Sequence, residues 1–141
     1  MKAKYVKDLH PYNTATIVTK DLAMRDMVEL FVKHSKLHIL CVIDERNQLL
    51  GLVDRRHLFH AIFSHHVPAG SMVKELYSLL TSEQASDLLI KHVITCKETD
   101  SIEDVIQLMI NNCLDAVPVL STSGKLEGVI SIERLFKEWL K

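Results

Sequence analysis

The side chains best suited to recognising a ligand lie on two short runs. Gly128-Val129-Ile130-Ser131-Ile132-Glu133-Arg134 closes an apolar stretch, and Ser131 is of the type that caps a helix. A free helix N-terminus offers unpaired N–H groups and a partial positive charge to a phosphate, and a capping hydroxyl adds a further hydrogen bond. Arg134 adds a donor for an anionic group. The earlier run, Gly51-Leu52-Val53-Asp54-Arg55-Arg56-His57, has the same order but puts Asp54 at the cap. That carboxylate competes with a phosphate for the helix end. The repulsion is about 4 kcal/mol at ~4 Å and an effective dielectric near ~20, unless Arg55 or Arg56 compensates. His57 can still donate to or accept from a hydroxyl.

Other chemistry is thinner. His57 and His60 stand one helical turn apart and His65-His66 follow, a spacing from which a transition metal can be chelated if a third ligand closes the site. No H-E-x-x-H and no paired C-x-x-C accompany them, so the histidines are read as surface residues and no metal site is assigned. Cys41, Cys96 and Cys113 are odd in number and set among apolar residues, and are read as buried reduced thiols, in keeping with a reducing cytosol. The chain has no nucleophile elbow, P-loop or dinucleotide fingerprint, so no catalytic residue is assigned and no enzyme is expected.

The two runs sit in matching surroundings. Residues 116–120 read as a short buried strand, 121–124 as a turn and 125–130 as the return strand, after which Ser131 opens a helix ending near Leu140. Earlier, 37–43, 44–47 and 49–53 repeat that order before Asp54. Gly51 and Gly128 lie 77 apart, as do Val42 and Val119, whereas Met24 and Ile102, and Leu30 and Leu108, lie 78 apart. A one-residue slip near His34–Lys36 reconciles the two offsets. Two copies of so long a period make an internally duplicated domain rather than an open array.

Upstream of each strand pair an amphipathic helix is predicted. The first runs over 23–34, with Asp21 placed to cap it, and the second over 102–112, with Ser101 and Asp104 as an S-x-x-D capping pattern. Thr16–Thr19 reads as a short strand. The lead-in residues Val6, Asp8 and Leu9 are echoed by Ala85, Asp87 and Leu88. Each half therefore reads strand, helix, strand, strand, helix: a mixed α/β (α+β) domain with a first unit at 1–63, a helical linker at 64–84 and a second unit at 85–141. At 141 residues the chain buries a sizeable core only if both halves contribute to it. Phe136 and Trp139 on the last helix are expected to meet the other half or a second subunit.

Composition narrows the function classes. With 17 basic and 18 acidic residues the net charge is -1, which gives no electrostatic reason to expect nucleic acid or an anionic membrane. The N-terminus lacks the apolar core of a signal peptide and no run reaches the ~18 apolar residues of a membrane span, so a cytoplasmic location is expected.

The doubled order of these pieces resembles a tandem pair of cystathionine-β-synthase-type (CBS) domains, a Bateman module. YVKDL, then Ile94-Thr95 leading into ETDSIEDVIQLMINN, then DAVPVL and KLEGVIS carry the resemblance, which covers residues ~5 to 140. It implies two βαββα units packed sheet to sheet about a pseudo-twofold axis, with two clefts, a tendency to form homodimers, and adenosine-containing ligands such as AMP, ADP, ATP or S-adenosylmethionine. In the family, an Asp three residues after the Ser or Thr accepts both ribose hydroxyls. Here Arg134 and His57 stand at that place. The resemblance puts Val93, Ile94, Thr95, Val117, Pro118, Gly128, Ser131 and Arg134 around the second cleft, and Ala15, Thr16, Cys41, Gly51, Asp54 and His57 around the first. Given the charge at Asp54, the second cleft is the expected ligand site of a regulatory sensor that passes its state to an unidentified protein partner. The competing expectation is a dimerisation or adaptor module that binds no ligand.

Overall fold

The computed structural model describes residues 1–63 and 84–141. In chain order they form β1 (Ile17–Val18), α1 (Met24–Lys33), β2 (Ile39–Ile43), β3 (Leu49–Asp54) and α2 (Arg55–Phe63), then β4 (Cys96–Lys97), α3 (Ile102–Asn111), β5 (Ala116–Leu120), β6 (Leu126–Ser131) and α4 (Ile132–Trp139). The order β1-β2-β3 makes one three-stranded sheet and β4-β5-β6 the other. This is the twofold βαββα arrangement read from the repeat. The slip is where the helices hand over to the strands, since α1 and α3 are offset by 78 while β2 and β5, and β3 and β6, are offset by 77. Of the expected linker at 64–84 only Gln84 lies within the described residues, and His65 and His66 lie outside them.

In each sheet the first strand runs parallel to the second, pairing Ile17 with Cys41 and Cys96 with Val119. β5 and β6 are antiparallel, with Ala116 opposite Ser131, Val117 opposite Ile130 and Pro118 opposite Val129. The middle strands are buried nearly end to end, which accounts for the continuous apolar runs ILCVI and AVPVL where a half-exposed strand would alternate.

The chain divides into two compact units, and the lead-ins change places between them. One unit holds Met1–Ala15, Glu45–Leu49 and His92–Lys141; the other holds Thr16–Asp44 and the described residues of Leu50–Lys91. Val6 and Leu9 are fully buried in a cluster with Ile102, Val105, Met109, Val117 and Ile130, so the first lead-in fills the core of the second repeat. Ala85 and Leu88 join Met27, Leu40, Val42, Val53 and Leu58 in the other cluster. Each core takes buried residues from the other repeat's lead-in, which is how a chain this short buries enough apolar surface.

Both lead-ins are held in one way. A single 3-10 turn, Val6–Leu9 or Ala85–Asp87, is closed by an aspartate whose carboxylate accepts backbone N–H groups: Asp8 from Lys4 and Tyr5 at 3.0 and 2.9 Å, Asp87 from Gln84 at 3.0 Å. The chain then adds a bridge to the returning strand, Asn13 to Val129 and Ile90 to Leu52, again 77 apart.

Two local readings are corrected. Asp21 does not cap α1; its carboxylate accepts the Thr19 hydroxyl at 2.6 Å, and the N-cap is Ala23, which is bridged to Gln84. Cys113 is exposed rather than buried, because it follows α3 in the left-handed region (φ 52°) and so turns out of the apolar stripe. Phe136 and Trp139 are 64% and 74% exposed.

Candidate functional site

Two helix N-termini share one framework and differ in charge. The first amide of α4, Ile132 N–H, donates to the Asp115 carbonyl at 3.1 Å, and the first amide of α2, Arg55 N–H, donates to the matching His38 carbonyl at 3.0 Å. Ser131 is a true N-cap, its Oγ accepting from Arg134 N–H at 3.2 Å, and its hydroxyl proton is left to donate elsewhere. In the first repeat Asp54 Oδ1 accepts from Arg56 N–H at 2.7 Å. The α2 end therefore already carries an anion, and the α4 end carries a neutral hydroxyl.

A second difference lies one strand away. Cys41 N–H donates to the Thr16 carbonyl at 2.9 Å, tying β2 to the residue entering β1. Pro118 stands 77 residues on and has no N–H, so that bond has no counterpart in the second repeat. In the β5–β6 register Ser131 stands opposite Ala116 and Gly128 opposite Val119, with Val117 and Pro118, both buried, between them in β5. Val117 is packed in the core with Val119 and Ile130. Val93, Ile94 and Thr95 are half-buried just ahead of β4, as Ala15 and Thr16 are ahead of β1. Cys41 is fully buried, Gly51 is buried and His57 is half-buried.

Several of these positions are already in contact with the chain itself. A Cβ on Gly128 would lie 2.7 Å from Tyr12 Cβ and 2.9 Å from the Asn13 carbonyl, so the missing side chain admits the lead-in. The Tyr12 hydroxyl donates to Glu98 Oε1 at 3.1 Å, and burial, reinforced by that carboxylate, raises its pKa well above the usual phenol range. The Arg134 guanidinium donates to the Leu9 carbonyl at 3.1 Å and to Glu138 Oε2 at 3.3 Å. Lys141 Nζ lies 3.0 Å from the same Glu138 oxygen. Leu9, Tyr12 and Glu138 are thus part of the site's surroundings without having been read from the sequence. The i,i+4 spacing of Arg134 and Glu138 was the one available signal.

Lys141, then Arg134, holds the Glu138 carboxyl below the ordinary glutamate range against the opposing effect of burial. A depressed carboxyl adds stability above its unfolded value that is lost as pH falls through the folded one. The melting temperature of the E138Q chain is therefore expected to lie below wild type at neutral pH and to converge on it below pH ~4. A constant gap down to the acid limit would show that the carboxylate charge contributes nothing.

Among the described residues no group of three His, Cys, Asp or Glu side chains is arranged to hold a metal, and His60 is exposed against Phe59. Burial pushes the Cys41 thiol up to about 12, and burial with help from the Asp100 charge does the same to Cys96. Neither forms a thiolate at neutral pH. Iodoacetamide is expected to label Cys113 alone in the folded chain, with Cys41 and Cys96 reacting on denaturation; fast labelling of either in the native state would contradict their placement.

No helix among the described residues is long and apolar enough to cross a membrane. Comparison with known proteins supplies the family. The CBS domain family profile matches residues 6–64 and 85–141. Cystathionine beta-synthase of Saccharomyces cerevisiae is 38% identical over 52 residues, 37% of this chain and 10% of that protein. Homoserine O-acetyltransferase of Methanosphaera stadtmanae is 26% identical over 127 residues, 89% of this chain and 22% of that protein. The chain thus spans a small part of the length of these curated relatives. Among solved structures, CBSX2 in complex with AMP superposes with a TM-score of 0.76 at 23% identity, covering 96% of each chain. The CBS domain pair of protein MJ0100, in complex with 5'-methylthioadenosine and S-adenosyl-L-methionine, gives 0.74 at 17% identity, over 96% of this chain and 98% of that one. A CBS domain-containing protein of Thermotoga maritima gives 0.81 at 20% identity, over 100% and 98%. With its two matched repeats, two three-stranded sheets and the helices that follow them, the chain belongs to the CBS domain family, as a CBS domain pair.

Proposed function

We propose that this CBS pair is a non-enzymatic regulatory module of the cytoplasm that binds an adenosyl compound, AMP, ADP, ATP or S-adenosylmethionine, on its second repeat. The observation that carries the reading is the contrast between the neutral Ser131 cap and the anionic Asp54 cap. Pro118 supports it by removing the backbone donor that Cys41 supplies in the first repeat, which leaves the strand-entry carbonyl near Ile94 without that partner and suited to accept an adenine amino group. Val93, Ile94, Val117 and Pro118 are the apolar walls for the base, and Thr95, Gly128, Ser131 and Arg134 complete the site. The ligands named for CBSX2 and MJ0100 agree in class with this assignment.

A thermal-shift screen with AMP, ADP, ATP and S-adenosylmethionine tests it. A ligand at 100 times its dissociation constant should add about 2.7 kcal/mol, a rise of several degrees. A flat response to all four would contradict the reading. One observation favours the adaptor alternative: Arg134 and the Gly128 edge are engaged by the lead-in.

Either way we infer a homodimer. Val32 and Ile110, Phe59 and Phe136, and Phe63 and Leu140 are repeat-equivalent and all exposed, joined by Trp139. Large apolar residues exposed at equivalent positions of both repeats suit a self-complementary interface between two copies. Replacing Trp139 with Glu is expected to convert a dimer to a monomer in sedimentation equilibrium; a wild-type monomer at micromolar concentration would contradict it.

A further inference from the structure

We propose that Glu138 and the Leu9 carbonyl hold Arg134 in a self-bound position that an anionic ligand must break, so that binding at Ser131 loosens the lead-in. This rests on the ligand reading above. Arg134 follows the cap by three residues, so its own amide is bonded to Ser131 Oγ while its guanidinium spans Leu9 and Glu138, its side chain only 15% exposed. A phosphate drawn to the α4 N-terminus therefore competes with Leu9 and Glu138 for the Arg134 guanidinium.

The exchange is made cheap by Lys141. Glu138 is 4% exposed, and stripping such a carboxylate of its sole cation would be strongly unfavourable. Because Lys141 Nζ lies 3.0 Å from the oxygen Arg134 uses, Glu138 keeps a counter-charge when Arg134 leaves. The Leu9 carbonyl has no such substitute in this network. It loses a charged donor, while Val6 and Lys7 stay bonded to Asp100 and Glu98 and Asn13 to Val129. The loosening is local to the stretch around Leu9 and His10, between two fixed points, and it carries the ligand's presence from the helix end to the N-terminal segment.

The test is AMP titration by calorimetry of four folded chains. E138Q is expected to bind roughly tenfold more tightly than wild type, the size of one charged hydrogen bond released. R134M/E138Q should lose that gain, and K141M should bind more weakly because Glu138 is then stranded by the exchange. If wild type binds AMP and E138Q binds no tighter, the inference is overturned and the ligand reading stands. If neither chain binds AMP, both fail. Should E138Q not fold, amide exchange of wild type decides: AMP must speed exchange at residues 8–10 while Asn13 stays protected, and unchanged or slowed exchange there in AMP-bound protein overturns the proposal.

Discussion

The Ser131→Asp chain is expected to fold and to lose adenosyl-ligand binding by at least about a hundredfold. Aspartate caps a helix as well as serine does, so its carboxylate can take Arg134 N–H in place of the hydroxyl, and the melting temperature should move by no more than a degree or two. What changes is the field. A fixed negative charge about 4 Å from a phosphate at an effective dielectric near ~20 costs about 4 kcal/mol, about half the free energy of a micromolar ligand. The first repeat has made this substitution already, with Asp54 on the Arg56 amide at 2.7 Å. Affinity in the Ser131→Asp chain within threefold of wild type would remove the charge argument for placing the ligand on the second repeat.

Gly51→Ala is expected to destabilise the fold by about 3 kcal/mol, lowering Tm by roughly 10 °C. A Cβ there would lie 2.4 Å from the Ile90 carbonyl oxygen and 2.7 and 2.8 Å from two Leu89 side-chain atoms. The leucine can turn away, but the carbonyl is backbone. Moving it stretches the pair of bonds between Leu52 and Ile90, 3.2 and 2.9 Å long, and pulls at Leu88, which is buried in the core two residues before. Gly128→Ala meets Asn13 at a less severe 2.9 Å and should cost less. Thermal unfolding followed by circular dichroism ranks the two, and a Gly51→Ala chain as stable as wild type would mean that the second lead-in does not dock where it is placed.

Much of the architecture was legible because the chain says it twice. A strand, helix, strand, strand, helix order with offsets of 78 and then 77 leaves little freedom, and both the slip after α1 and the capping role of Ser131 follow from residue type and spacing. What could not be read is where short segments dock. Val6-Asp8-Leu9 and Ala85-Asp87-Leu88 are recognisable as equivalents, but a 3-10 turn followed by one bridge has no periodicity to say which sheet it joins. The trace of it in the sequence is the pair Gly51 and Gly128, each bare of a side chain where another backbone approaches. Asp21 misled because an aspartate near a helix start is a cap by type, whereas a serine or threonine two residues before it offers a closer partner. Arg134 was legible as a cation near an anion site. Its engagement by Leu9 was not, since the two stand 125 positions apart.

On the proposed reading the second repeat alone holds the ligand, because its helix cap is neutral and that of the first is charged. Calorimetric titration of the purified chain with AMP tests this most directly, through the number of sites as much as the affinity. One site per chain, abolished by Ser131→Asp and unaffected by Asp54→Asn, is the predicted result. Two equal sites per chain, or one that survives Ser131→Asp and responds to changes at Asp54, would contradict it.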